Sequence, residues 1–152
     1  MKYMKYMKFT GEVEIPSASK DSSFSFLGGE EMEIRFCVLS EPIPAARPRF
    51  SGRHAYQPKR NREYREVVQA AAVEAMNGRE PMTGAVDVTI RLYRKFKPTA
   101  RIFCDCDNHA KAILDALNKI VFADDAQVVR LVVEKMKSTQ DARAEIMIEG
   151  DD

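Results

Sequence analysis

The chain has 152 residues, of which 45% are hydrophobic and 31% charged, with a formal net charge of +1. That balance is too apolar for a disordered chain and suits one soluble domain, long enough to bury about two-thirds of its unfolded surface. No run approaches the roughly 18 apolar residues of a membrane-spanning helix. The start, MKYMKYMKF, lacks the apolar core of a signal peptide. Three cysteines, with Cys104 and Cys106 one residue apart, argue against a disulfide framework and predict a reducing, cytoplasmic setting.

Residues 1–31 contain a short imperfect repeat and a Ser- and Gly-rich stretch, SASKDSSFSFLGGEE, that reads as an arm, linker or extra strand. A domain spanning 32–150 follows. In EIRFCVL, Ile34, Phe36 and Val38 alternate with Glu33, Arg35 and Cys37, the pattern of a half-buried strand. Pro42, Pro44, Pro48 and Pro58 then forbid a regular helix and predict an extended basic loop. Phe50 and Tyr56 in that loop either anchor it to the core or stack on bases. A helix is predicted over 58–77, with Tyr64, Val67, Val68, Ala71, Ala72 and Met76 as its buried stripe and Gly78 as its stop. From Gly84 to Phe96, Val86, Val88, Ile90 and Leu92 alternate with polar residues as in a clean strand. RKFKPTAR then reads as a basic connection near the substrate.

The stretch CDCDNHAKAILDALNKIVFADDAQ, from Cys104 to Gln127, carries the chemistry. Arg101–Cys106 reads as extended, so Asp105 and Asp107 would share a face and Cys104 and Cys106 the other. With Asn108 or Asp107 as N-cap, Ala110, Ile113, Leu114, Leu117 and Val121 form the apolar stripe of a second helix. Asp107, Lys111 and Asp115 stack along another face at four-residue spacing. Asp124 and Asp125 precede a β-rich run over 127–135, and an antiparallel or crossover return could bring Asp125 beside the helix start. Residues 142–149 complete what reads as a hairpin with that run. The order strand, helix, strand, helix, strand, strand makes this α/β (α+β), a single domain with a mixed sheet.

Three carboxylates with room for water suit magnesium, a hard cation that keeps several waters. Zinc is disfavoured: Cys104, Cys106 and His109 lack a fourth ligand, and C-x-C is tighter than usual zinc spacing. Charge is uneven. Residues 47–65 hold seven Arg or Lys against one acid, Glu63, and residues 91–101 hold five and none. Two basic stretches around an acidic pocket suit a polyanion, and arginine forks match phosphate oxygens. The candidate DNA contacts are Arg47, Arg49, Arg53, Lys59, Arg60, Arg62, Lys95 and Lys97.

Asp-x-Asp alone is a weak signal. The fuller set, D-x-D-N, a lysine four residues on, D-A-L-N and then D-D-A-Q before an apolar strand, resembles the signature of RusA-type Holliday-junction resolvases, crossover-junction endodeoxyribonucleases of bacteria and prophages. IPAARPRF and AYQPKRNREYREVV resemble the N-terminal half of that family, and the likeness runs over roughly 32–149. Ala45-Ala46 stands where relatives often carry a lysine. His109 stands where an apolar residue such as Leu is common, which solvent exposure would tolerate. The resemblance implies metal-binding, catalytic aspartates at Asp105, Asp107 and Asp125, and an essential lysine at Lys111. It implies a magnesium-dependent homodimer (Mn2+ able to substitute) that nicks four-way or branched DNA symmetrically, leaving 5′-phosphate and 3′-hydroxyl ends. A lysine with its ordinary pKa near 10.4 is a poor base. Lys111 is therefore expected to stabilise charge on the phosphate or leaving oxygen, unless it simply pairs with Asp107 or Asp115. Asn108, Asp115 and Asp124 are expected to support the ligands. Two other readings stand beside this one. A transferase using Asp-x-Asp would need a Gly-rich nucleotide loop, which the chain lacks. A non-catalytic DNA-binding module would need the basic loops but not the acids.

Overall fold

Alternating apolar residues build most of the sheet in this computed structural model, which describes residues 31–46, 49–51, 54–95, 105–138 and 141–151. The elements run β1 (Glu31–Val38), β2 (Arg49–Ser51), β3 (His54–Tyr56), α1 (Lys59–Met76), β4 (Val86–Lys95), α2 (Cys106–Leu117), a 3-10 turn (Asp125–Gln127), β5 (Val128–Ser138) and β6 (Arg143–Asp151). The main sheet has the order β1-β6-β4-β5, with β4 and β5 parallel and the other pairs antiparallel. This is the mixed α+β arrangement that the periodicity predicts. The expected arm over 1–31 lies outside the described residues except for Glu31, which begins β1.

One face of the sheet is apolar. Ile34, Val38, Val86, Val88, Ile90, Leu92, Ala144, Ile146 and Ile148 are buried there together with Tyr64, Val68, Ala72 and Met76 of α1 and Ala110, Ile113 and Leu117 of α2. Residues two apart on a strand share a face, so the intervening positions form the opposite surface. That surface is laced with ion pairs: Arg91–Glu134 at 2.9 Å and Arg130–Asp87 at 3.6 Å across strands, and Arg143–Glu145 at 2.9 Å along β6. Tyr93 donates to Glu145 at 3.0 Å, and the Arg143 guanidinium lies 3.7 Å from the centre of the Tyr93 ring. Glu145 is buried beneath these partners.

Helix α1 ends where Asn77 adopts a left-handed conformation and Gly78 has φ +80°, the stop that the glycine foretells. Gly150 meets β4 closely: a Cβ there would lie 2.7 Å from Val86 Cγ1 and 2.9 Å from the Ala85 carbonyl oxygen. Among the described residues no helix is long and apolar enough to cross a membrane.

Three expectations need correction. β5 and β6 are not a hairpin: β6 lies between β1 and β4, and β5 pairs in parallel with the far side of β4. Ala144, Ile146 and Ile148 are buried on the core face, a pattern that an edge strand such as β1 shows as well, so it does not fix the neighbours of β6. The proline-rich segment is not wholly irregular, because β2 and β3 pair Arg49 with Tyr56 and Ser51 with His54. His109 does not face solvent; it is 1% exposed.

Candidate functional site

Helix α2 begins earlier than its sequence suggests. Asp105 occupies the N-cap position with extended dihedrals, φ −59° and ψ 143°, while Cys106 and Asp107 are already helical. Neither Asp107 nor Asn108 is the cap, and Asp105 and Asp107 do not owe their proximity to strand alternation. They are neighbours in the first turn. The Asp105 side chain makes no capping hydrogen bond, and both acids are exposed. Two carboxylates at a helix N-terminus are favoured by the macrodipole.

The backbone beneath them is fixed from several sides. His109 Nδ1 lies 3.2 Å from the Asp105 carbonyl oxygen, which also accepts the His109 backbone N–H at 3.4 Å. Burial pulls the imidazole pKa down, so the neutral ring is favoured and Nδ1 serves as the donor. Its Nε2 is buried with no partner among the described residues. The Ala45 N–H donates to the Asn108 carbonyl at 2.8 Å, and Asn61 Nδ2 donates to the Pro44 carbonyl at 2.7 Å. Asn108 thus acts through its backbone, tying the segment after β1 to α2 and, through Asn61, to α1.

Lys111 and Asp115 follow Asp107 at one-turn intervals on α2. Among the described residues Lys111 pairs with neither, so the plain salt-bridge reading does not account for it. The Asp115 backbone carbonyl accepts Arg65 at 3.1 Å, a link between the helices.

The acidic step before β5 divides its labour. Asp124 caps the 3-10 turn: its Oδ1 accepts the Ala126 N–H at 2.9 Å, while its own N–H donates to Gln127 Oε1 at 2.8 Å. Gln127 Nε2 donates in turn to the Met82 and Gly84 carbonyls at 3.0 and 2.6 Å. Asp125 is left exposed at the start of the turn.

Topology sets these acids apart. β4 and β5 run parallel, so α2 must travel back along the sheet between them. Asp105 and Asp107 stand at its start, beyond the C-terminal end of β4. Asp125 stands past its end, where Ala123 N–H bonds the Met82 carbonyl just before β4 begins. Twelve helical residues span about 18 Å. The crossover return therefore does not bring Asp125 beside the helix start, and among the described residues no group of three His, Cys, Asp or Glu is placed to hold a metal ion. The donor chemistry suits a hard divalent cation, but one chain offers it at two separate ends of α2.

Basic residues gather at the Asp105 end. Lys59, Arg60 and Arg62 lie in or next to the first turn of α1, which has no acidic residue and no side-chain cap. Positive charge there opposes the helix dipole, so helix stability does not explain it. Arg62 and Arg65 line an open depression of about 560 Å3 with Tyr56, Gln57, Glu66 and Gln69. Arg94, at the end of β4, and Arg60 both grip Glu41, and Arg94 beside it holds the Glu41 carboxyl below the usual range. Neither Arg94 nor Glu41 stands out in the sequence, since 53 residues separate them. Arg47, Arg53 and Lys97 lie outside the described residues; Arg49 and Lys95 are placed by backbone only, in β2 and at the end of β4.

Comparison with known proteins adds identity to this geometry. The family model of endodeoxyribonuclease RusA matches residues 40–149, from the segment carrying Glu41 to Glu149 within β6. The uncharacterized protein YqaN of Bacillus subtilis (strain 168) is 32% identical over 139 residues, covering 76% of this chain and 94% of its own length.

Proposed function

This chain belongs to the RusA endodeoxyribonuclease family, and on that premise we propose that it resolves Holliday junctions in the cytoplasm as a homodimer, nicking two strands symmetrically with magnesium as cofactor and manganese able to substitute. The observation that carries the reading is the carboxylate pair Asp105–Asp107, exposed at the start of α2 and flanked by the basic first turn of α1.

Asp105, Asp107 and Asp125 would hold the cation. When bound, a divalent ion supplies Lewis acidity toward the scissile phosphate and makes water a competent nucleophile at neutral pH. Lys111, one turn below Asp107, contributes positive charge where the phosphate gains negative charge. Asp124 and Gln127 hold the turn that presents Asp125, and His109 holds the backbone of Asp105. Arg60, Arg62 and Lys59 attract and orient the DNA backbone, and the same role is assigned to Arg47, Arg49, Arg53, Lys95 and Lys97 from the sequence alone.

The separation of Asp125 from the other two acids gives dimerisation a chemical purpose. Two chains related by a two-fold axis can bring the Asp105 end of one against the Asp125 end of the other, twice. Each site is then complete only in the dimer, and two sites suit paired nicks.

The direct test is incubation of purified protein with a labelled four-way junction, with and without magnesium. Symmetric nicks bearing 5′-phosphates are expected only with the cation. Parallel digestion of three-way and linear duplex DNA separates a junction resolvase from a nuclease of broader branched-DNA preference. Binding without cleavage in either metal would leave only the DNA-binding module.

A further inference from the structure

Glu41 lies three residues beyond β1 and is held by two arginines from different elements. Arg60 Nη2, in the first turn of α1, donates to Oε2 at 2.7 Å, and Arg94 Nη2, at the end of β4, donates to Oε1. Each carboxylate oxygen thus has its own guanidinium. A phosphodiester presents the same feature, two equivalent anionic oxygens on one atom, and arginine forks suit both groups.

Three further observations bear on what this cluster does. The Glu41 side chain is 45% exposed and that of Arg60 is 66% exposed, so a solvent-borne polyanion can reach them. Exposed ion pairs add little to stability, and a cation in the first turn of a helix is disfavoured by the dipole; structure alone is a poor reason for this arrangement. The cluster also stands at the catalytic end of the sheet. β1 and β4 both run antiparallel to β6, so their C-terminal ends coincide, and the Ala45–Asn108 hydrogen bond joins the segment carrying Glu41 to the first turn of α2.

We propose that Glu41 occupies the seat of a DNA phosphate: Arg60 and Arg94 form a phosphate subsite beside Asp105 and Asp107, and incoming DNA displaces the Glu41 carboxylate. Two guanidinium groups face the one Glu41 carboxylate, so Glu41 competes with every phosphate that approaches. Weakly held DNA is rejected, and a phosphate placed by the correct branched geometry takes over both guanidinia. The inference rests on the nuclease reading for its ligand.

The experiment is DNA binding by fluorescence anisotropy in magnesium-free buffer, on a four-way junction and a linear duplex, over a salt series. Full-length wild type, Glu41→Gln, Arg60→Gln, Arg94→Gln and the double variant Glu41→Gln with Arg94→Gln are compared, and thermal unfolding confirms folding of each. Glu41→Gln is expected to bind roughly three- to tenfold tighter at low salt, the scale of losing one or two exposed competing pairs. The relative gain is expected to be larger on linear duplex than on the junction. Arg60→Gln and Arg94→Gln are expected to bind more weakly and to lower the slope of log K against log salt by about one each. In the Arg94→Gln background the gain from Glu41→Gln is expected to shrink, since only Arg60 is left for it to release. A Glu41→Gln protein that binds DNA no tighter than wild type, or an Arg60→Gln protein with unchanged affinity, overturns the subsite while leaving the nuclease reading standing. A wild-type protein that binds neither DNA overturns both.

Discussion

Asp124 and Gln127 cap one another: the Asp124 N–H donates to the Gln127 side-chain oxygen, and the Asp124 carboxylate receives the N–H of Ala126 within the same 3-10 turn. The Gln127 amide reaches on to two carbonyls of the segment before β4. Half of the D-D-A-Q motif is thus architecture, and the acid between the two caps is the one left to face solvent. Asp124→Ala and Gln127→Ala are each expected to lower folding stability by about 1–2 kcal/mol, the range for a lost cap and side-chain hydrogen bonds. Asp125→Asn is expected to unfold at the same urea concentration as wild type while losing cleavage. Urea titrations of the three variants, read beside junction cleavage, check this division; a destabilised Asp125→Asn would place it with its neighbours instead.

The distance between the two acidic ends of α2 makes a second prediction. Asp107→Asn and Asp125→Asn homodimers should both be inactive. Mixed after co-refolding, they form heterodimers in which one site draws both mutations and the other draws none. Recovery of single-strand nicking, without full resolution, is expected. If every site takes all its acids from one chain, the mixture stays dead.

Tyr64 is 4% exposed and its hydroxyl has no partner among the described residues. Burial pushes its pKa well above that of a free tyrosine. A folded pKa above the unfolded value means that the native state holds the proton more tightly. The contribution is intact below pH 10 and declines as pH rises above it, by at most about 1.4 kcal/mol per pH unit. Tyr64→Phe removes both the ionisation and the unsatisfied hydroxyl. The variant is expected to gain about 1 kcal/mol at pH 8 and to lose less stability than wild type between pH 9.5 and 11. Urea unfolding at those pH values is the measurement, and a less stable Tyr64→Phe would mean that the hydroxyl is satisfied in solution.

Much of this architecture is written in periodicity. The alternation of Ile34, Phe36 and Val38, and of Val86 to Leu92, marks the strand faces because a pleat has period two, and the stripe from Tyr64 to Met76 marks α1 because a helix has period 3.6. What periodicity lacks is partnership. Ala144, Ile146 and Ile148 look the same whether β6 pairs with β5 or inserts between β1 and β4. Likewise Glu41, Arg60 and Arg94 are unremarkable charges until three elements bring them together. The start of α2 misled for a local reason: Cys106 and Asp107 have modest helix propensity, and the local bonds from His109 to the Asp105 carbonyl together with the tertiary bond from Ala45 settle the first turn. The acids at that turn are plain in the sequence, whereas their distance from Asp125 follows only from the parallel pairing of β4 and β5.

The sharpest test of the account is cleavage of a labelled four-way junction by wild type and by Asp107→Asn, each with magnesium and with EDTA. Wild type with magnesium should give symmetric nicks, and the other three reactions should give intact junction that is still bound by the protein. Undiminished cleavage by Asp107→Asn, or by wild type in EDTA, would contradict the claim that these aspartates act through a divalent cation.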